Sequence, residues 1–135
     1  MFSLSDKHTI VTGAGSGIGK AVALLLAKQG AIVYVTDIQE ENAREVAEEI
    51  IRNGGKAVAK AVDVSDQGKV DALFAGLPRL DILVNSAGVS HIGTAETTSE
   101  ADFDRLYRVN VKGVYNCLRA AIPLLKKGAG GAINP

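Results

Sequence analysis

"VTGAGSGIG", residues 11–19, sets four glycines in nine positions between a short apolar run ending at Val11 and a helix-forming segment beginning at Ile18. Gly13, Gly17 and Gly19 follow the spacing G-x-x-x-G-x-G. A turn without side chains between a strand and a helix lets the backbone come close to a diphosphate and aims the helix's first N–H groups at its charge. Glycine-rich strand-to-helix turns also occur without a ligand, so the flanking sequence has to decide.

Outward from that turn, two kinds of segment alternate. Residues 8–12, 31–37, 56–63 and 80–85 are short and rich in Val, Ile or Ala. The first, second and fourth are nearly continuous apolar runs, as strands covered on both faces are. Between them lie helical patterns. Residues 18–29 are helix-forming and close on Gly30, a left-handed cap. In residues 39–53, Ala43, Val46, Ala47 and Ile50 fall on one face, while Glu40 with Arg44 and Glu48 with Arg52 form i,i+4 pairs on the other. A third helix follows Ser65, with Val70, Leu73, Phe74 and Leu77 inward and Pro78 closing it. Parallel strands need crossovers, so the alternation predicts an α/β fold: a Rossmann-type, doubly wound parallel sheet with helices on both faces. Beyond the fourth strand, residues 97–127 predict one or two helices starting from a capping box of Ser99 with Asp102, and a fifth strand begins near residue 130.

At 135 residues, with no internal repeat or linker, the chain is expected to form one domain over 1–135. Fifteen Lys plus Arg balance fifteen Asp plus Glu, so no field favours nucleic acid or an anionic membrane surface. No apolar run reaches the ~20 residues that span a bilayer, and residues 1–10 do not read as a secretory leader. The single Cys117 rules out an internal disulfide framework and any multi-thiolate metal site, and is read as a small buried apolar residue. The cytoplasm is the expected compartment, with no metal, nucleic-acid or membrane partner.

Asp37 ends the second strand about twenty residues beyond the glycines, where a carboxylate can accept hydrogen bonds from the adenosine ribose hydroxyls of NAD. It would repel a 2′-phosphate, and neither Ser16 nor Ile38 offers a cation for one, so NAD is favoured over NADP.

Together, "TGAGSGIG", Asp37, "DVS" at 63–65, "NSAG" at 85–88 and "RVNVKGVYN" at 108–116 resemble the short-chain dehydrogenases/reductases. The resemblance covers essentially all of residues 1–135. It implies that Thr12, Gly13, Ser16, Gly17, Ile18 and Gly19 form the pyrophosphate turn and that Asp37 holds the ribose. It further implies that Asp63 and Val64 flank the adenine, and that Asn85, Ala87 and Gly88 stabilise the sheet and line the site beside the nicotinamide ribose. Ser86 departs from the family's second Asn. Asn110 matches an Asn that the family counts as catalytic, through a water in a proton relay. A polar residue between Val109 and Val111 also suggests a kinked helix that frees a carbonyl for such a water.

The family moves a hydride between nicotinamide and a carbonyl or alcohol carbon, using a Tyr, a Lys four residues later, and a Ser. Within residues 1–135, Tyr34 is followed four later by Ile38, Tyr107 by Val111 and Tyr115 by Arg119. The resemblance therefore implies the cofactor-binding part of an NAD-dependent oxidoreductase for a small secondary alcohol or ketone, homo-oligomeric as a dimer or tetramer. The family's C-terminal strands, helices and active-site Tyr, Lys and Ser fall outside these residues, which alone should turn over no alcohol. The alternative is a dinucleotide-binding or assembly module without catalysis. His91 is expected as a solvated loop residue and His8 as a surface one. Leu118, Ile122 and Leu125 face either a partner or the core.

Overall fold

A computed structural model describes residues 3–88, 96–127 and 132–134; His91 lies outside the described residues. The order is β1 (His8–Val11), α1 (Gly17–Lys28), β2 (Ile32–Asp37), α2 (Glu40–Arg52), β3 (Lys56–Ala61), α3 (Gln67–Ala75), β4 (Ile82–Val84), α4 (Glu100–Tyr107), a π-helical turn (Arg108–Lys112), α5 (Gly113–Lys127) and β5 (Ala132–Asn134). All strand pairs are parallel, in the order β3-β2-β1-β4-β5. The doubly wound sheet predicted from the alternating pattern is the one observed.

Strand side chains alternate between faces, so each strand feeds two cores. Val11, Val33 and Val35 pack with Ala23 of α1 and with Ala43, Val46, Ala47 and Ile50 of α2. Ile10, Tyr34 and Leu83 pack on the other face with Val70 and Phe74 of α3 and with Cys117, Ala121 and Leu125 of α5. This double covering explains why β1 and β2 read as unbroken apolar runs. β3, by contrast, is an edge strand with exposed Lys56 and Lys60, which discourage pairing with another sheet.

Several local expectations are refined. Ser99 caps α4, its hydroxyl accepting the Asp102 N–H at 3.1 Å, and Asp66 caps α3 through the Lys69 N–H at 3.1 Å. α3 ends ahead of Gly76 rather than at Pro78, because the backbone N–H groups of Gly76 and Leu77 already turn back onto Leu73 and Phe74. The Glu40–Arg44 pair forms at 3.1 Å, but no Glu48–Arg52 pair is found among the described residues; the neighbouring Glu49 instead reaches Lys20 on α1 at 3.7 Å. Leu125 is buried and Leu118 packs against the core, whereas Ile122, on the same i, i+4, i+7 stripe of α5, is exposed, so this stripe meets the core only in part. His8 is half-buried rather than a free surface residue: its Nδ1 lies 3.2 Å from the Tyr34 hydroxyl and the two rings stack.

At the N-terminal edge of the sheet, the buried Asp81 accepts the His8 N–H at 2.8 Å and two guanidinium N–H bonds from Arg79 at 3.0 and 2.9 Å. Burial pushes its carboxyl up. The Arg79 and His8 hydrogen bonds, with the charges of Arg79 and Lys7, outweigh burial and hold it below the usual carboxylate range. A lowered folded pKa adds stability that is fully present above the unfolded value and is lost as pH falls through the folded one. Asp81→Asn is therefore expected to cost about 2 kcal/mol at neutral pH, below the full figure for a buried ion pair because Arg79 is half exposed. It is also expected to flatten the acid limb of the stability curve. Urea unfolding of both proteins at neutral and at acid pH measures this, and coincident midpoints at neutral pH would refute it.

Candidate cofactor site

β1 has β2 on one side and β4 on the other, so the chain's crossovers part at the C-terminal ends of β1 and β4 and leave a crevice where ligands of doubly wound sheets bind. A cleft of about 730 Å³ opens there. The glycine turn forms one wall, through Gly13, Ser16, Gly17, Ile18 and Gly19. Asp37 and Ile38 at the end of β2, and Val62, Asp63 and Val64 after β3, form the next. Ser86, Ala87 and Gly88 after β4 close it, together with Val109 from the π-helical turn.

The glycines of the turn divide by cause. Gly13 has φ +61°, and a Cβ there would sit 2.7 Å from Ala87 Cα and 2.9 Å from Ala87 N, so it lets the turn lie directly on the segment after β4. A Cβ on Gly19 would run into the Gly13 carbonyl, which fixes how tightly α1 starts against the turn. Gly17, at φ +57°, lines the cleft, and a Cβ there would meet nothing within 4 Å.

The start of α1 is distinctive in charge as well. Ser16, its N-cap, makes no side-chain capping bond, and the first turn holds no acidic residue. α3 and α4 are capped by side chains, and α2 carries Glu40 and Glu41 in its first turn. The N-terminal N–H groups of α1 are thus left without a local acceptor beside a cleft, an arrangement suited to an anion. Bare glycine, donors without acceptors, and a groove running from the turn to the β3–α3 loop fit a dinucleotide diphosphate and its adenosine.

Asp37 stands on the rim. Its Oδ2 accepts the Gly15 N–H at 3.0 Å and its Oδ1 the Gln39 N–H at 2.9 Å, so it both closes the strand-end turn and orients a carboxylate toward the cleft. Each oxygen keeps a further acceptor site. Ile38 beside it is 64% exposed. Among the described residues no Lys or Arg lines the cleft.

Two expected site residues act from behind. Thr12 is buried, and its hydroxyl oxygen accepts the N–H groups of Ser86 and Ala87, both at 3.0 Å, tying the end of β1 to the segment after β4. It does not line the cleft, because these bonds turn its hydroxyl toward the segment after β4. Asn85 likewise does not line it, and its Nδ2 is buried without a hydrogen-bond partner among the described residues.

Asn110 sits in the π-helical turn between α4 and α5. The sequence predicts a kink there; a π-turn widens the helix by one residue, disturbs the carbonyl ladder, and recurs at functional sites. A Cβ on Gly88 would come 3.3 Å from Asn110 Oδ1, which places this amide against the cleft wall. Cys117 lies in the core, where burial pushes its thiol up to about 12, so it stays neutral and unreactive. Among the described residues there is no cluster of metal-ligating side chains, and no helix is long and apolar enough to cross a membrane.

Val62 and Val109 line the cleft without any sequence signature, since a lone Val in a loop or mid-helix looks like any core residue. Only its place after a strand's C-terminal end, or next to Asn110, could have singled either out.

Comparison with known proteins agrees with this geometry. The sequence profile described as short chain dehydrogenase matches residues 7–134. The chain is 43% identical over 133 residues to an uncharacterized oxidoreductase of Thermotoga maritima, covering 97% of this chain and 53% of that one. It is 38% identical over 137 residues to a cyclopentanol dehydrogenase of Comamonas, covering 98% and 55%. Among solved structures, a hydroxysteroid dehydrogenase from Escherichia coli superposes with a TM-score of 0.90 at 37% identity, covering 97% of this chain and 57% of that one. A dehydrogenase/reductase from Sinorhizobium meliloti gives 0.89 at 40%, covering 97% and 53%. The chain thus spans about half the length of these relatives. With a parallel sheet, a glycine turn and a cleft at its switch point all in the family's arrangement, the chain belongs to the short-chain dehydrogenases, oxidoreductases that bind a nicotinamide dinucleotide and act on small molecules.

Proposed function

We propose that residues 1–135 form one cofactor-holding unit of an NAD-dependent oxidoreductase that interconverts a secondary alcohol and its ketone. The observation that carries this reading is Asp37, a carboxylate fixed on the rim of a cleft that no Lys or Arg lines among the described residues. When bound, the nicotinamide supplies the hydride acceptor or donor.

The chain's own residues bind and orient. N–H groups at Gly17, Ile18 and Gly19 hold the diphosphate over the turn that Gly13 and Ser16 shape, while Thr12 braces that turn against β4. Asp37 accepts hydrogen bonds from the ribose hydroxyls, and Asp63 and Val64 flank the adenine. Ala87 and Gly88 line the nicotinamide side, supported by Asn85. Asn110, on its π-turn, holds a water of the proton path. Proton exchange with the substrate oxygen calls for a Tyr with a Lys four residues on, a pair that residues 1–135 lack, so this reading gives them binding and not turnover.

The same reading places the protein in the cytoplasm as a homo-oligomer, dimer or tetramer. Phe103, Tyr107, Val111 and Tyr115 are exposed at four-residue spacing along α4, the π-turn and α5, with Ile122 seven residues on, a stripe suited to a second copy.

In the natural full-length protein, NAD-linked oxidation of cyclic secondary alcohols is expected, with cyclopentanol as first probe because the Comamonas relative is named for it. Asn110→Ala is expected to lower kcat about a hundredfold while NADH still binds. NADH binding without turnover of any alcohol or ketone would favour a non-catalytic binding module, and absence of binding would overturn both.

A further inference from the structure

α5 reaches the cleft's framework a second time, through Asn116. This residue is fully buried beside Cys117 in an otherwise apolar helix face, where an amide is tolerated only if its polar atoms are paired. Both ends are. Nδ2 donates to the Val64 carbonyl at 2.9 Å, and Oδ1 accepts from Gln67 Nε2 at 3.3 Å. One turn earlier, a Cβ on Gly113 would lie 2.6 Å from Val64 Cγ2, so α5 is seated directly on Val64.

Val64 and Asp63 belong to the loop between β3, which ends at Ala61, and α3, which begins at Gln67, and both line the cleft. The Asp63 carboxylate is held by the N–H and hydroxyl of Ser65, at 3.0 and 2.6 Å through Oδ1. The plane of the Val64–Ser65 peptide is set by the Asn116 bond to its carbonyl. An apolar side chain at 116 would fill the same space and leave that carbonyl buried without a donor.

We propose that Asn116 is a positioning residue that holds the Asp63–Val64 loop in the shape that receives the adenine end of the dinucleotide, with Gln67 bracing its amide. This rests on the reading that the cleft binds NAD. Asn116 also lies six residues along the same continuous helix from Asn110, so one helix carries both the brace for the adenine loop and the amide at the opposite wall.

The test uses the natural full-length protein and three probes, NADH, ADP-ribose and AMP, titrated calorimetrically alongside thermal melting. Asn116→Leu is expected to weaken all three by a common factor of about ten, the worth of one mis-set buried hydrogen bond, which localises the loss to the adenine end they share. Gln67→Ala, at a partly exposed position where water can replace the lost donor to Asn116 Oδ1, is expected to weaken them about threefold and to lower the melting temperature less than Asn116→Leu does. A role in stability alone lowers the melting temperature of Asn116→Leu and leaves AMP affinity unaltered, which overturns the proposal. Where Asn116→Leu fails to fold, Gln67→Ala decides alone, and unchanged affinity overturns it. A wild-type protein that binds none of the probes overturns the cofactor reading itself, whereas wild-type binding with unaffected variants overturns only the role of Asn116.

Discussion

Alanine at position 17 is expected to leave the protein folded and to weaken NADH binding about a hundredfold, whereas alanine at position 13 or 19 is expected to damage the fold itself. The three glycines share one turn and look alike in sequence, yet a side chain would meet different neighbours at each. At Gly17 there is nothing within 4 Å, so Gly17→Ala adds only the strain of a positive φ, about 1–2 kcal/mol, against the protein. If the diphosphate lies over this turn as proposed, the added methyl stands in its approach, and forfeiting one or two charge-assisted N–H contacts at about 1.5–3 kcal/mol each gives the expected loss. At Gly13 the methyl would press on the Ala87 backbone at 2.7 Å, in addition to the same strain. At Gly19 it would meet the Gly13 carbonyl, and neither backbone can move without opening the β1–β4 junction that Thr12 ties. Destabilisation of about 3 kcal/mol or more is expected for each of these two. Urea unfolding and NADH titration of the three variants separate the effects. Wild-type affinity in Gly17→Ala would mean that the diphosphate does not lie over this turn.

The difference between those glycines also marks how far the sequence could be read. The sheet was legible because double covering forces continuous apolar strands, and the 3.6-residue repeat of Ala43, Val46, Ala47 and Ile50 then names the face of α2 that covers it. The helix break at Asn110 was legible because a polar residue among Val109 and Val111 competes with the backbone ladder; a π-turn is the form it takes. Side chains whose roles depend on what the fold brings opposite them were not legible. Thr12 reads as part of the phosphate turn, but its hydroxyl faces two N–H groups more than seventy residues away. Asn116 follows an aromatic residue in a helix and looks like a surface amide until α5 is laid on Val64. The Glu48–Arg52 pair had the right spacing, yet exposed pairs of this kind gain so little that a neighbour such as Lys20 to Glu49 is as favourable.

Asp37→Ser combined with Ile38→Arg is expected to turn a preference for NAD into one for NADP, an overall change of about a thousandfold in the ratio of their kcat/KM values. The wild-type carboxylate is held by the N–H groups of Gly15 and Gln39, at 3.0 and 2.9 Å, so it cannot easily swing away from an incoming group. A 2′-phosphate brings close to two negative charges to the adenosine ribose; at ~4 Å and an effective dielectric of ~20, each unit opposes the carboxylate by up to roughly 4 kcal/mol before salt and solvent reduce it. A net penalty of about 2–3 kcal/mol corresponds to roughly a hundredfold preference for NAD. Serine removes that repulsion while keeping a short polar group to accept the Gly15 N–H. It also gives up a charged acceptor for the ribose hydroxyls, so Asp37→Ser alone should lower NAD affinity about tenfold without creating a good NADP site. The second change supplies what the first lacks. Ile38 is largely exposed on the cleft rim, so an arginine there displaces no core packing and can present its planar donors to a phosphate. Steady-state kinetics of the full-length protein with both cofactors measure the ratio directly. A wild-type preference for NADP would mean that the Asp37 carboxylate does not face the ribose, and with it would fall the feature that distinguishes this cleft from a general dinucleotide site.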